Sequence, residues 1–139
     1  MSTAATPSAS ARPRWVEAVR IVYLALAAAF TACVAVQVFL AGLGVFVSPA
    51  DWRLHTTFIH FFEGLPLLML LLALVARLRG LRWPAAALIV LIAVQYATAA
   101  WTEPRAVAAL HPVGAMIIAW GAVSLTWRTW GQVRAARTA

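Results

Sequence analysis

Four apolar runs, Ile21 to Val47, Thr56 to Ala76, Pro84 to Trp101 and Ala106 to Trp127, take up most of this 139-residue chain. Each is near the roughly 20 residues a helix needs to cross the hydrocarbon of a bilayer. Composition supports the same conclusion. Hydrophobic residues make up 64% and charged residues 11%, and the mean hydropathy of +0.88 exceeds what a soluble domain of this size can bury. The expected fold is an all-α integral membrane four-helix bundle over residues 15–131. A polar, proline-containing N-terminal tail over 1–14 is expected to be disordered, and a basic C-terminal tail covers 132–139.

The net charge of +7 is arranged for topology, not for nucleic acid. Arg12, Arg14 and Arg20 precede the first run, Arg77, Arg79 and Arg82 fill the middle loop, and Arg128, Arg134 and Arg137 follow the fourth. The other two loops pair Arg53 with Asp51 and Arg105 with Glu103, and balance to zero. By the positive-inside rule both termini and the middle loop are cytoplasmic, and the partner that the arginines meet is the lipid bilayer. Six tryptophans, Trp15, Trp52, Trp83, Trp101, Trp127 and Trp130, fall near span ends, where an indole anchors at the headgroup boundary. Trp120 alone lies deep in a span and is expected to pack. The single Cys33 excludes an intrachain disulfide.

Helix starts are legible in local chemistry. "SPAD" offers Ser48 as N-cap, Pro49 at the first helical position and Asp51 in the first turn. "TEPR" has the same character, with Thr102 or Glu103 as cap. Counted from these starts at about 1.5 Å per residue, His55 and His111 lie at a common depth of roughly 10 to 12 Å, and His60 points some 140° away from His55. A short internal repeat strengthens the pairing. Ala35-Val36-Gln37 recurs as Ala93-Val94-Gln95 at an offset of 58, and Leu54-His55 recurs as Leu110-His111 at an offset of 56. Read as a parallel repeat of two helix pairs about an axis along the membrane normal, these stretches turn His55 and His111 toward each other.

Two opposed imidazoles at one depth can ligate both faces of a haem iron within an apolar bundle. Small residues that would leave room for a macrocycle accompany them: Gly42 and Gly44, Gly64, Ala97, Ala99 and Ala100, and Gly114 with Ala115. Membrane helices also use small residues simply to pack. A glutamine, small residues and glycine ending one span, then a histidine early in the next, repeated with "LHPVGA", resembles one four-helix half of the haem A synthase family. "VQVFLAGLGVF" and "ALHPVGA" resemble more closely an uncharacterised bacterial family of small four-span proteins. These resemblances imply haem b held by His55 and His111, with His60 as a competing second-helix ligand and Gln37, Gln95, Gly64 and Gly114 lining the site. They also imply a bacterial inner-membrane location. The acidic and arginine residues that accompany the histidines in the catalytic half of haem A synthase are not found, so no haem-modifying chemistry is implied.

Glu63 sits roughly 22 Å along its helix from Ser48, where an ionised carboxylate costs about 2.5 to 3.5 kcal/mol and is usually functional or paired. It shares a helical face with His60 and is expected to bond Gln37 or Gln95, or to take a proton near His60. Pro66 and Pro112 are expected to kink their helices. Three functions from different classes follow. One is a bis-histidine b-type haem protein for electron transfer or haem holding, serving a quinone or a redox partner protein. The second is a small metal- or proton-handling protein using His55, His60, Glu63 and His111, for which four spans require a homo-oligomer. The third is an accessory four-span subunit without cofactor. Neither a nucleophilic triad nor a phosphate loop is present to define an enzyme.

Overall fold

The computed structural model describes residues 13–138, and residues 1–12 of the expected N-terminal tail lie outside them. Six α-helices and one 3-10 turn make four spans. The first is α1 (Arg14–Phe46). The second joins the 3-10 turn Pro49–Asp51 to α2 (Trp52–Phe62) and α3 (Leu65–Val75). The third is α4 (Arg82–Ala99), and the fourth joins the one-turn α5 (Arg105–Ala108) to α6 (Leu110–Arg137). All four are long and apolar enough to cross a membrane, as the sequence predicts. The basic segment 132–137 continues α6 and is helical to Arg137.

Proline chemistry sets the breaks inside spans two and four. A helical proline has no N–H for the carbonyl four residues back, and its ring collides with that carbonyl. For Pro66 that residue is Phe62, the last of α2, and for Pro112 it is Ala108, the last of α5. The expected cap at Ser48 forms, its Oγ accepting from Ala50 N at 3.3 Å. At "TEPR" the cap position falls instead on Pro104, with no side-chain bond. Trp101 Nε1 donates to the Glu103 carbonyl at 2.7 Å, and this closes that turn instead.

The spans stand in cyclic order. α1 packs on α2, α3 and α6, and α4 packs on α3, α5 and α6, so spans two and four face each other diagonally. Composition does not tell inside from outside here, because lipid is as apolar as the core, and the inward face mixes large and small side chains. Each helix turns a seam at three- and four-residue spacing inward: Arg20, Tyr23, Ala27, Phe30 and Val34 on α1, and Gly114, Ile118, Ala122, Leu125, Thr129 and Val133 on α6. The small members let backbones approach, the usual basis of helix association in lipid. Bulky apolar side chains such as Phe39, Phe61 and Met116 point outward. Trp120 joins them at 74% exposure, correcting the expectation that it packs. It lies two residues from both Ile118 and Ala122, on the far side of α6.

Three polar ties hold the arginine-rich segments at one end. The buried Tyr23 hydroxyl donates to the Leu81 carbonyl at 3.0 Å, Arg128 Nη1 donates to the Gly80 carbonyl at 3.3 Å, and Arg20 bonds Glu17 Oε2 at 2.8 Å. Between α3 and α4 the chain turns with Gly80 at φ +83° and Arg77 at φ +50°, the second uncommon for a residue with a Cβ. Mid-bundle, the Thr31 and Thr126 hydroxyls meet at 3.0 Å across α1 and α6. Packing is closest at the arginine end: Tyr23, Met69, Leu81, Ala85 and Leu125 are all buried there.

Removing the Tyr23 hydroxyl while keeping its ring isolates one of these ties. Tyr23→Phe is expected to lower stability by about 0.5–1.5 kcal/mol, and Ala27→Leu, which overfills a position 1% exposed, by about 1–3 kcal/mol. Thermal unfolding in detergent–lipid micelles measures both.

Candidate functional site

Four residues named by the sequence converge away from the arginine end. His55 Nδ1 lies 3.0 Å from the backbone carbonyl of Gln37, and His111 Nδ1 lies 3.1 Å from that of Gln95. A carbonyl oxygen only accepts, so in each ring Nδ1 carries the proton and Nε2 keeps a free lone pair. One side-chain-to-backbone bond thus recurs in both helix pairs, span two onto span one and span four onto span three. It recurs at the residues that carry the internal repeat. The two rings come within 6.3 Å, centre to centre, with their planes at 64°.

Local sequence explains why these side chains reach the interior. Gln37 continues the α1 seam three residues beyond Val34, and His111 lies three residues before buried Gly114 on α6. His55 lies seven residues, two helical turns, before buried Phe62. Both imidazoles are half-buried. The two halves differ in what the glutamine amides do. Gln37 Nε2 donates back to the His55 carbonyl at 2.9 Å, closing a reciprocal pair. Gln95 Nε2 is buried with no partner, as is Gln37 Oε1. Gly114 makes the room that the Gln95 amide occupies, since a Cβ there would stand 2.0 Å from Gln95 Nε2.

Two further side chains complete the surroundings and were not singled out from sequence as site residues. Trp52 stands edge-on to His55 with centres 5.5 Å apart, its indole laid on Gly44, where a Cβ would stand 2.7 Å from the ring. Thr98 Oγ1 lies 3.5 Å from His111 Nδ1 as a second acceptor. The glycine opposite an aromatic was the available signal for the first, and the three-residue step from Gln95 for the second.

His60, Glu63 and Gly64 belong elsewhere. His60 Nδ1 lies 3.2 Å from Glu63 Oε1, and Tyr96 donates its hydroxyl to Glu63 Oε2. Glu63 therefore bonds Tyr96 and His60, and not the glutamine amides. The cluster faces outward between spans two and three, with the His60 side chain 62% exposed. Nothing lies within 4 Å of a Cβ built on Gly64, so that glycine is not packed against the imidazole pair. Among the described residues no three His, Cys, Asp or Glu side chains group as a metal-ion site. His55 and His111 form one constellation, and His60 with Glu63 another.

Residues 37–102 match DUF6220, a family of unknown function. The matched stretch begins at Gln37 and contains His55, His60, Glu63, Gln95 and Tyr96, while His111 falls outside it. No curated protein and no solved structure matches the chain. A multi-pass helical membrane bundle similar to a family of unknown function is the class that fold and comparison define.

The Gly114 contact can be tested directly. Gly114→Ala is expected to lose about 1–3 kcal/mol as the new methyl displaces the Gln95 amide, and shortening Gln95 to Ala in that background should recover much of the loss. Gly42→Ala, with nothing within 4 Å of the new Cβ, should be neutral or stabilising by up to about 1 kcal/mol. Unfolding midpoints of the parent, Gly114→Ala, Gln95→Ala and the double variant form the cycle, with Gly42→Ala as the control.

Proposed function

We propose that the chain is a membrane-embedded b-type haem protein in which His55 and His111 would hold the haem, serving one-electron transfer or haem holding. The observation that carries the reading is the pair of rings 6.3 Å apart, each with Nδ1 bonded to a helix carbonyl. Metal–imidazole bonds of about 2.0 Å, with each ring centre roughly 1.1 Å beyond its nitrogen, would put two ligating rings about 6 Å apart. Ligating histidines commonly donate their other N–H to a backbone carbonyl, which fixes the tautomer and raises ligand basicity. Two protein nitrogens alone leave a bare metal ion short of ligands, whereas a porphyrin brings four of its own, so the donor set favours haem over zinc or copper.

Haem, when bound, would supply an iron cycling between ferric and ferrous states. The chain's own residues do the rest. Gln37 and Gln95 orient the imidazoles through their backbone oxygens, and the unpartnered Gln95 amide, buried beside Gly114, is a hydrogen-bond donor available to a polar cofactor edge.

The arrangement of arginines supports cytoplasmic placement of both termini, which would set the imidazole pair toward the opposite face, and the resemblance to a bacterial four-span family supports the inner membrane. Reporter fusions after residue 139 should report a cytoplasmic C-terminus, and fusions between Phe46 and Ser48 a non-cytoplasmic loop.

One observation favours a second reading. The reciprocal Gln37–His55 bonds tie spans one and two together without any ligand, as a cofactor-free accessory subunit requires. An absorption spectrum of protein purified from haem-sufficient cells separates the two. The haem reading expects a Soret band and sharp reduced α and β bands, abolished in His55→Ala and in His111→Ala and retained in His60→Ala. Colourless protein, or colour that survives loss of both His55 and His111, sinks it.

A further inference from the structure

The His60–Glu63–Tyr96 cluster is not used by the haem reading and is not explained by packing. It stands on the lipid-facing surface of spans two and three, with Tyr96 43% exposed and the His60 and Glu63 side chains 62% and 36% exposed. Ionisable groups turned to lipid are costly and usually mark a site. Their hydrogen bonds run inward upon one another. Tyr96 O–H is given to Glu63 Oε2, His60 Nδ1 faces Glu63 Oε1 at 3.2 Å, and the Tyr96 oxygen lies 3.4 Å from the same nitrogen.

With the carboxylate holding both donors, the neutral His60 ring, 62% exposed, has Nε2 left as an acceptor without a partner among the described residues. The cluster therefore asks for a hydrogen-bond donor arriving from the membrane. Acyl chains carry none. A second copy docked by two-fold symmetry would present the same free acceptor to an acceptor. The surroundings suit a flat molecule. The His60 and Tyr96 rings lie 22° from parallel with centres 6.3 Å apart. Beside them the surface is kept low by exposed Gly64, whose Cβ position is open, and by exposed Ala93 and Ala97.

We infer that the His60–Glu63–Tyr96 face of spans two and three binds the headgroup of a membrane-soluble hydroquinone, whose hydroxyl donates to His60 Nε2 while its ring lies along the His60 and Tyr96 rings. The site discriminates by hydrogen bonding: the hydroquinone brings the donor that its dimethyl ether lacks. No electron transfer is part of the inference, and it does not rest on haem binding.

The test uses full-length protein in lipid nanodiscs under anaerobic conditions, with a tritiated decyl-tailed benzoquinol and its dimethyl ether, counted against empty nanodiscs. Saturable binding of one quinol per chain is expected, about tenfold tighter than the ether, the size of one hydrogen bond to a buried-type acceptor. His60→Phe, which keeps a flat ring and removes the nitrogens, should erase that preference, and Tyr96→Phe should weaken it by disturbing the carboxylate's partners. Protein purified from haem-depleted cells should bind as the haem-replete protein does, so a failed haem assignment leaves this result standing. No saturable excess over empty nanodiscs, equal binding of quinol and ether, or a preference that survives His60→Phe overturns the inference. So does a His60-dependent dimer that binds no quinol, or binding that occurs only in haem-replete protein.

Discussion

The arrangement turns on one bond made twice, an imidazole Nδ1–H given to a helix carbonyl of the preceding span. A helical carbonyl uses one lone pair for its own ladder and has a second to spare. In lipid, where an unpaired polar group is expensive, that spare acceptor is a secure place for a histidine N–H. The bond sets three things together. It pins span two to span one and span four to span three, it fixes the tautomer of each ring, and it holds both rings at one level. From that level come the 6.3 Å separation and the free Nε2 lone pairs, which are the chemical content of the imidazole pair.

Much of this was legible because it depends on local rules. Span lengths follow from runs of apolar residues, helix breaks follow from the position four residues before each proline, and the Ser48 cap follows from its side-chain acceptor. The shared depth of His55 and His111 needed only a rise per residue and two helix starts, and the recurring Ala-Val-Gln stretches pointed to the glutamines that hold them. His60 as a partner of Glu63 was legible from the three-residue step between them, but Tyr96 was not. Nor was the outward face of Trp120, or the placing of Trp52 over Gly44. In a soluble helix, polarity marks the side that faces out. Here both environments are apolar, and facing is decided by how large and small side chains of neighbouring spans fit together. That information is spread over all four spans, so Tyr96, one residue past Gln95 in sequence, lands on a different surface from it.

The two halves are alike in the histidine bond and unlike around it. Gln37 closes a reciprocal pair with His55, while Gln95 leaves its amide unpaired beside Gly114. Span two breaks after its histidine and span four before. A helix pair that had only to brace its neighbour would gain nothing from a buried amide without a partner, since such a group costs about 1–3 kcal/mol. The asymmetry marks the span-three side as the one where a bound group would find an unused donor.

Closest packing lies at the arginine end, where Tyr23, Met69, Leu81 and Leu125 interlock and hydroxyl and guanidinium ties tether the α3–α4 turn. Toward the histidines, full burial thins to a few positions such as Val34, Gly44, Thr98 and Gly114. The bundle is thus filled more completely at one end than at the other. A change of side-chain volume near the arginines has fewer directions in which to relax than one beside the imidazoles, so the two ends should differ in their tolerance of substitution.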